Sequence, residues 1–144
     1  MRLSDHLTPI FSSFEPSNSA EIEQLESIVG LPMPVDYVAF LQTFGRCMID
    51  GEATVLGHDI CTFFGTSGDV GNVTNDYLLH NDYVEQKLVP IADDMFNNRY
   101  VLRASTGEIR FIEYSSGTSR LFHIAESFGA FIEQITVVPF PDGA

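Results

Sequence analysis

Two prolines separated by a single residue, Pro32 and Pro34, constrain the fold of this chain more than any other local feature. Proline lacks a backbone N–H and disfavours a helical conformation in the residue before it, so no helix continues through this segment. The apolar residues on either side recur at helical spacing, which predicts one helix ending at Gly30 and a second over 34–44. Two short amphipathic helices cannot bury their apolar faces alone. We therefore expect both to pack against a sheet formed by the rest of the chain.

The ends of the first helix carry specific signals. It begins at 18 or 19, since Asn18 and Glu21 have the spacing of a capping box, and Gly30 provides the positive φ that commonly ends a helix. Upstream, Thr8 and Pro9 predict one short helical turn with the proline at its first position. The apolar stripes that should face the core are Ile22, Leu25, Ile28 and Val29 in the first helix and Tyr37, Phe40, Leu41 and Phe44 in the second.

The remainder of the chain has mainly the pattern of short strands. The strongest signal is a hairpin, 99–104 and 108–114, joined by a turn that contains Gly107. Pro90 lies within another predicted strand, which places that strand at a sheet edge or at a bulge. Ser127 caps a final helix with Phe128 and Phe131 on its apolar stripe. The other predicted strands are 53–56, 60–64, 88–92 and 120–124. Residues 65–82 are expected to be loop-like, with one helical turn at 77–79 as an alternative for that part. Helices, then strands, then a helix predict an α+β fold.

The chain is strongly acidic, which limits its partners. Its 144 residues suit one domain over 1–144, and 20 acidic against 7 basic residues give a net charge of −13. Phosphates repel such a protein, so we expect no direct binding to nucleic acid or to an anionic membrane. No apolar stretch approaches the roughly 18 residues of a membrane span, and the N-terminal residues lack the apolar core of a signal peptide. We therefore expect a cytoplasmic protein.

The excess acid is concentrated in the first two thirds of the chain. Residues 1–98 contain 15 acids and 3 bases, whereas 99–144 contain 5 acids and 4 bases. Glycine-rich polar segments in the first part should lie at the surface, where their acids would have no internal cation to pair with. These acids would attract a basic partner protein; the alternative is that they serve solubility alone. The candidate partner-binding residues are Asp50, Glu52, Asp59, Asp69, Asp76 and Asp82.

No set of residues forms a recognisable catalytic or metal-binding motif. The segment 65–71 has the glycines of a phosphate loop but no basic residue, and we expect a surface loop. Asp93 and Asp94 fit no EF-hand spacing and should hydrogen-bond the backbone of their own turn. Cys47 and Cys61 match no zinc or redox spacing, which predicts buried free thiols. We expect no enzymatic activity, no catalytic residue, no metal and no cofactor.

Short motifs in the first half resemble those of the SUKH superfamily, the group built around the yeast Smi/Knr cell-wall-synthesis regulator. The family pattern is Leu-Glu, Gly, then Leu-Pro-x-Asp-Tyr-x-x-Phe-Leu, then Gly. The chain has, in that order, Leu25-Glu26, Gly30, Met33-Pro34-Val35-Asp36-Tyr37, Phe40-Leu41 and Gly45. Met33 replaces the usual leucine, which is a tolerated apolar exchange.

The second half of the chain also resembles this family. The matching segments are Val89–Asp94, Asn98–Leu102, Ile124–Phe128 and Phe131-Ile132. Asn97 stands where the family often has glycine, and asparagine is the residue that best replaces glycine at positive φ. The resemblance covers about 19–135.

The resemblance implies an α+β fold in which a mostly antiparallel sheet packs against the N-terminal helix pair and a C-terminal helix. It also implies that the shared motifs are structural and contribute no catalytic residues. Bacterial members are mainly immunity proteins that bind and neutralise a toxin, often a nuclease, whereas the fungal fold serves regulatory scaffolding. The leading hypothesis is an immunity protein whose acidic surface pairs with a basic toxin domain. The alternative is a regulatory or interaction module with a non-toxin partner.

Overall fold

The computed structural model describes residues 2–115 and 117–141 and has the predicted α+β architecture. Within these residues the α-helices are α1 (Ser19–Val29), α2 (Val35–Thr43), α3 (Val73–Leu79), α4 (Asn81–Gln86) and α5 (Phe128–Gln134). The strands are β1 (Leu7–Pro9), β2 (Cys47–Val55), β3 (His58–Phe63), β4 (Leu88–Asp93), β5 (Arg99–Arg103), β6 (Ile109–Ser115), β7 (Thr118–Ala125) and β8 (Thr136–Val138). A short 3₁₀ helix, Leu3–His6, precedes β1.

The strands form one sheet in the order β1-β2-β3-β4-β5-β6-β7, and each neighbouring pair is antiparallel. β8 pairs with Glu52–Thr54 of β2, whereas β1 pairs with Cys47–Ile49, so both occupy the same edge of this long strand. Strands that follow one another in sequence are therefore neighbours in space, except where β8 returns to β2. This topology confirms the mostly antiparallel sheet.

Two adjacent rows of residues run across the sheet and point to opposite faces, because side chains alternate along a strand. The helix-side row consists of Pro9, Cys47, Phe63, Ala92, Tyr100, Phe111 and Phe122. The cleft-side row consists of Thr8, Met48, Thr62, Asp93, Arg99, Ile112 and Leu121. The helix-side row is buried from Cys47 to Phe111, whereas Met48 and Leu121 in the other row are exposed. One face of the sheet therefore belongs to the core and the other is partly open.

Aromatic side chains of α2 and α5 cover the helix-side row. The ring of Phe40 packs on Phe63 with 4.8 Å between ring centroids, and Phe131 packs on Tyr100 at 5.4 Å. These two contacts show that α2 and α5 dock on the sheet. For α2, this confirms the prediction made from the proline linker. Five aromatic residues are expected in this core. Tyr37, Phe128 and Phe131 are buried, and Phe40 and Phe44 are partly buried.

The predicted capping box is present at the start of α1. The Asn18 side chain accepts a hydrogen bond from the Glu21 backbone N–H at 2.8 Å, and the Glu21 carboxylate accepts one from the Asn18 N–H at 3.0 Å. Gly30 ends the helix with a φ of 84°. Pro34 is the N-cap of α2 rather than its first residue, and α2 ends at Thr43.

The beginning of the sheet differs from the sequence prediction. Thr8 and Pro9 lie in β1 and not in a helical turn, because they pair with Met48 and Cys47. β2 begins at Cys47 rather than at 53. Buried and exposed residues alternate in the first half of β2. Gly51 interrupts the apolar pattern in the sequence, so the sequence predicts only the second half of this strand.

The middle of the chain is more ordered than a loop. α3 and the start of α4 occupy half of 65–82, α4 continues to Gln86, and both helices contact β4. Asn72 caps α3 by accepting a hydrogen bond from the Asn75 N–H at 3.1 Å. Pro90 does not lie at a sheet edge, because β4 is between β3 and β5. The alternative of a bulge is correct, since the register shifts between Pro90 and Ala92.

Candidate functional site

A cleft of about 550 Å³ lies over the cleft-side row of the sheet. Met48, Thr62, Asp93 and Arg99, which are neighbours in that row, form its floor. Residues between 69 and 79, from the glycine-rich segment and α3, form one wall. The volume is within the range of small-molecule and side-chain pockets.

Arg46 anchors the glycine-rich segment at one end of the cleft. Its Nε and Nη2 donate to the Glu15 carboxylate at 3.2 and 2.9 Å, and its Nη1 donates to the carbonyl of Val70. The guanidinium lies 5.2 Å from the centroid of the Phe11 ring. A Cβ at Gly65 would lie 2.4 Å from the Arg46 backbone nitrogen, so the segment approaches too closely for any other residue. The segment 65–71 contains no basic residue, but the fold brings Arg46, which lies earlier in the chain, into contact with it.

Arg99 is held in the same way on the cleft floor. Its Nε and Nη2 donate to the two oxygens of Asp76 at 2.8 and 3.3 Å, and its Nη1 donates to the carbonyl and side-chain oxygens of Asn97 at 3.0 and 2.9 Å. The guanidinium also lies 5.4 Å from the Phe64 ring centroid. Burial alone would lower the pKa of Arg99, but the hydrogen bond and charge of Asp76 raise it overall. This arginine is therefore fixed and charged.

Asp93, beside Arg99 in the row, is not fully satisfied. Its Oδ1 is buried and accepts no hydrogen bond from any residue that the structure describes. Burial raises the pKa of Asp93 to about 6; the charge of Arg99 opposes this shift, and the charge of Asp94 adds to it. A desolvated carboxylate with an unpaired oxygen is uncommon in folded proteins, and one that lines a cleft is a candidate for binding.

Asp94 is instead engaged by the β4–β5 turn. One of its oxygens accepts hydrogen bonds from the N–H groups of Phe96 and Asn98 at 2.8 and 2.9 Å, and the other accepts one from the Asn98 side chain at 2.8 Å. Asn97 has a φ of 65°, which confirms that it occupies a position usually given to glycine. The two neighbouring aspartates thus have different roles. In the part of the chain that the structure describes, no three His, Cys, Asp or Glu side chains are grouped to hold a metal ion.

A sequence model of the SMI1/KNR4 family (SUKH-1) matches residues 16–134. The chain belongs to this family. It is also 22% identical to the SPbeta prophage-derived uncharacterized protein YokK of Bacillus subtilis (strain 168), over 85% of this chain and 77% of that protein. The family match confirms the resemblance seen in the sequence motifs, and the name of the relative assigns no activity. None of the helices in the described ranges combines the length and apolar character needed to cross a membrane.

Three of the six acidic residues selected from the sequence share one surface of this family member. Asp50 and Glu52 lie on the exposed side of β2, the same side as Met48, because side chains alternate along the strand. Asp59 lies on β3, where it pairs with the exposed Thr54. All three carboxylates are exposed. We call Asp50, Glu52 and Asp59 the outer-face acids.

The other three selected residues are in different positions. Asp69 and Asp76 line the cleft, and Asp82 is exposed on α4. The expectation that such acids have no internal cation is wrong for Asp76, because Arg99 from the second part of the chain reaches it. The two residues lie 23 positions apart in the chain, a separation that carries no sequence signal for their pairing.

A second polar cluster lies on the paired strands β6 and β7 and on Glu108, the residue before β6. Glu108 accepts hydrogen bonds from Arg110 at 2.9 Å and contacts Nδ1 of His123 at 2.6 Å, while Glu113 pairs with Arg120 at 2.9 Å. The hydrogen bond from Arg110, more than the contact with His123, lowers the pKa of Glu108. His123 lies on β7, and its side chain is about half exposed. The two glutamates each serve a different cation and do not form a carboxylate pair.

Both cysteines are free thiols in the structure. Cys47 is buried in the helix-side row, and burial raises the pKa of its thiol to about 12. Cys61 is only partly buried, which corrects the expectation of two buried thiols. Cys61 lies where the register of the β2–β3 pair shifts. On one side of it Ile60 pairs with the buried Ala53, and on the other Thr62 pairs with the exposed Met48, so Cys61 is not held on the buried face.

Proposed function

We propose that this protein is a non-catalytic immunity protein of the cytoplasm that binds a basic toxin domain and blocks its action. Membership of the SMI1/KNR4 family (SUKH-1) supports this proposal at the level of the family. The observation that carries the choice of partner is the charge left uncompensated on the surface. The proposal covers stoichiometric binding and assigns no reaction to the protein.

Most of the positive charge is already neutralised within the molecule. Four of the six arginines form ion pairs with carboxylates: Arg46 with Glu15, Arg99 with Asp76, Arg110 with Glu108 and Arg120 with Glu113. The outer-face acids have no ion-pair partner within the described residues. With a net charge of −13, this surface favours a positively charged protein and disfavours a nucleic acid.

A toxin that acts on nucleic acid must carry a basic surface to hold its substrate. The same surface would be attracted to the outer-face acids, and binding there would exclude the substrate. Long-range attraction of this kind accelerates association, and it weakens as salt shortens the Debye length to below 10 Å. The outer-face acids would therefore act mainly on the rate of association.

The experiment pairs the protein with toxin domains encoded beside its gene. We expect one such domain to bind the protein and to lose its toxicity when the two are co-expressed. The triple variant Asp50→Lys, Glu52→Lys and Asp59→Lys should associate about ten-fold more slowly, because reversed rim charges act on the association rate. A matched triple variant, Glu23→Lys, Glu85→Lys and Glu133→Lys, changes the net charge equally at exposed positions on helices outside β2 and β3, and it should associate at nearly the wild-type rate.

Three results would contradict parts of this proposal. Failure to bind or protect against any neighbouring toxin domain would overturn the immunity function. Binding without protection would favour an interaction module with a regulatory role. Equal effects of the two triple variants, or association rates that do not change between about 50 and 500 mM salt, would show that the acids serve solubility.

A further inference from the structure

We propose that the cleft over the cleft-side row of β2–β5 receives one long cationic side chain, an arginine or a lysine, from the protein partner. Asp93 would be its counter-anion. The proposal rests on the proposed function for the source of this side chain, but the chemistry of the cleft can be tested separately.

The charges that line the cleft are not balanced. Arg46 is paired with Glu15 and Arg99 with Asp76, so each guanidinium has its own carboxylate. Asp69 and Asp93 also line the cleft, and neither has an ion-pair partner among the described residues. The site therefore carries an excess of two negative charges, which a cation entering the cleft would reduce.

Part of this excess negative charge is located on Asp93, on the floor of the cleft. Its Oδ1 is shielded from solvent and receives no hydrogen bond, although Asp93 lines the cleft. The carboxylate has thus lost hydration without gaining a full set of donors, which is an unfavourable state. A cationic group beside it would supply the missing electrostatic compensation in an environment where charges interact more strongly than in water.

The walls suit the aliphatic part of such a side chain. Phe11, Val70 and Leu79 line the cleft and are 70%, 79% and 78% exposed. Lysine and arginine commonly pack their methylene groups on apolar surface while their charged ends contact polar groups. A cleft with apolar wall residues and an incompletely hydrogen-bonded carboxylate on its floor matches this division.

An anionic ligand is the main rival, because two arginines line the cleft. Arg46 and Arg99 are nevertheless largely buried and tied to carboxylates, with side-chain exposures of 8% and 12%. A phosphate would have to displace Glu15 or Asp76, and it would also meet Asp93, which forms no ion pair among the described residues. The arrangement therefore favours a cation.

The test follows backbone amide signals of the ¹⁵N-labelled full chain by NMR during titration with N-acetyl-arginine amide or N-acetyl-lysine amide. We expect saturable shifts confined to amides of 69–79 and 93–99. N-acetyl-leucine amide and inorganic phosphate should produce no saturable shifts there. Asp93→Asn should weaken binding of the cationic probes at least about five-fold, whereas Asp5→Asn, an exposed change on the 3₁₀ helix, should leave it unchanged.

Saturable shifts with phosphate in the same amides would overturn the proposal in favour of an anion site. Shifts equal for the leucine and arginine probes, or equal affinities of the wild type and Asp93→Asn, would overturn the role of Asp93. Because the probes involve no toxin, these failures would leave the proposed immunity function standing. Conversely, a cleft that binds the probes in a protein that neutralises no toxin would refute only the proposed function.

Discussion

Replacing Asp93 by asparagine should stabilise the protein at neutral pH. Asparagine has nearly the same shape but carries no charge, so the change removes a partly buried carboxylate whose Oδ1 has no donor. The groups whose charge or hydrogen bonding acts on Asp93 are Arg99, Asp94 and Thr62. Arg99 keeps its pair with Asp76 in the variant, so no new unpaired cation is created.

The magnitude follows from the pKa of this carboxyl, which burial raises from an ordinary value near 3.8 to about 6. One pH unit of difference in pKa corresponds to about 1.4 kcal/mol, which gives at most about 3 kcal/mol. Because the group remains partly accessible to water, screening reduces the expected gain to about 1–2 kcal/mol. The folded state holds this proton more tightly than the unfolded state. The carboxyl therefore favours folding most below about pH 4, and that contribution is lost as the pH rises through about 6.

Urea unfolding of the wild type and Asp93→Asn at pH 4 and pH 7.5 measures this difference. We expect the variant to be more stable by about 1–2 kcal/mol at pH 7.5 and nearly equal to the wild type at pH 4. Asp5→Asn removes the same charge from an exposed site and should change the free energy of unfolding by less than about 0.5 kcal/mol. A variant that is no more stable than the wild type at pH 7.5, or whose advantage persists at pH 4, would refute the reasoning.

Three further changes test the packing and the ion pairs, each by urea unfolding at pH 7.5. Phe131→Ala should lower the free energy of unfolding by about 3–5 kcal/mol, since the ring is fully buried on Tyr100; a loss below 1 kcal/mol would contradict its place in the core. Asn18→Ala should lower it by about 1 kcal/mol by removing the capping box, and no change would contradict that role. Arg99→Met should lower it by about 3–5 kcal/mol because the Asp76 carboxylate loses its partner. Adding Asp76→Asn should recover part of that loss, and full additivity would argue against the pairing.

The parts of the fold that sequence predicts are those that local chemistry determines. The capping box of Asn18 and Glu21, the terminating Gly30 and the hairpin around Gly107 all depend on residues a few positions apart. The family motifs add the order of these elements. The α+β class and the docking of two helices on a sheet follow from such signals, because short amphipathic helices require an apolar surface.

The parts that sequence misses depend on partners distant in the chain. β1 and β8 have only three residues each and exist because they pair with opposite halves of β2. α3 has only seven residues, of which Val73 and Tyr77 are buried, and its contacts with β4 identify it more clearly than so short an apolar pattern does. Elements this short carry too few residues for a periodic pattern.

The candidate cleft was predictable only in part. Acid in the first two thirds of the chain is visible in the sequence, and two of the candidate acids there, Asp69 and Asp76, line the cleft. The ion pairs that organise the cleft join residues 31 and 23 positions apart, Arg46 with Glu15 and Arg99 with Asp76. A spacing of that size carries no periodic signal. The different roles of Asp93 and Asp94 also emerge only when the turn is folded, because hydrogen bonds satisfy one and leave an oxygen of the other unpaired.

The two faces of the sheet divide the requirements of folding and binding. The helix-side row contributes apolar burial, and truncating its members weakens the core. The cleft-side row places a carboxylate at Asp93, whose burial raises its pKa and opposes folding at neutral pH. A fold that needed only stability would do better with an uncharged residue there, as functional sites commonly sacrifice stability for activity. The stability gain expected for Asp93→Asn and the loss of cation binding proposed for the same variant are therefore two consequences of one desolvated charge.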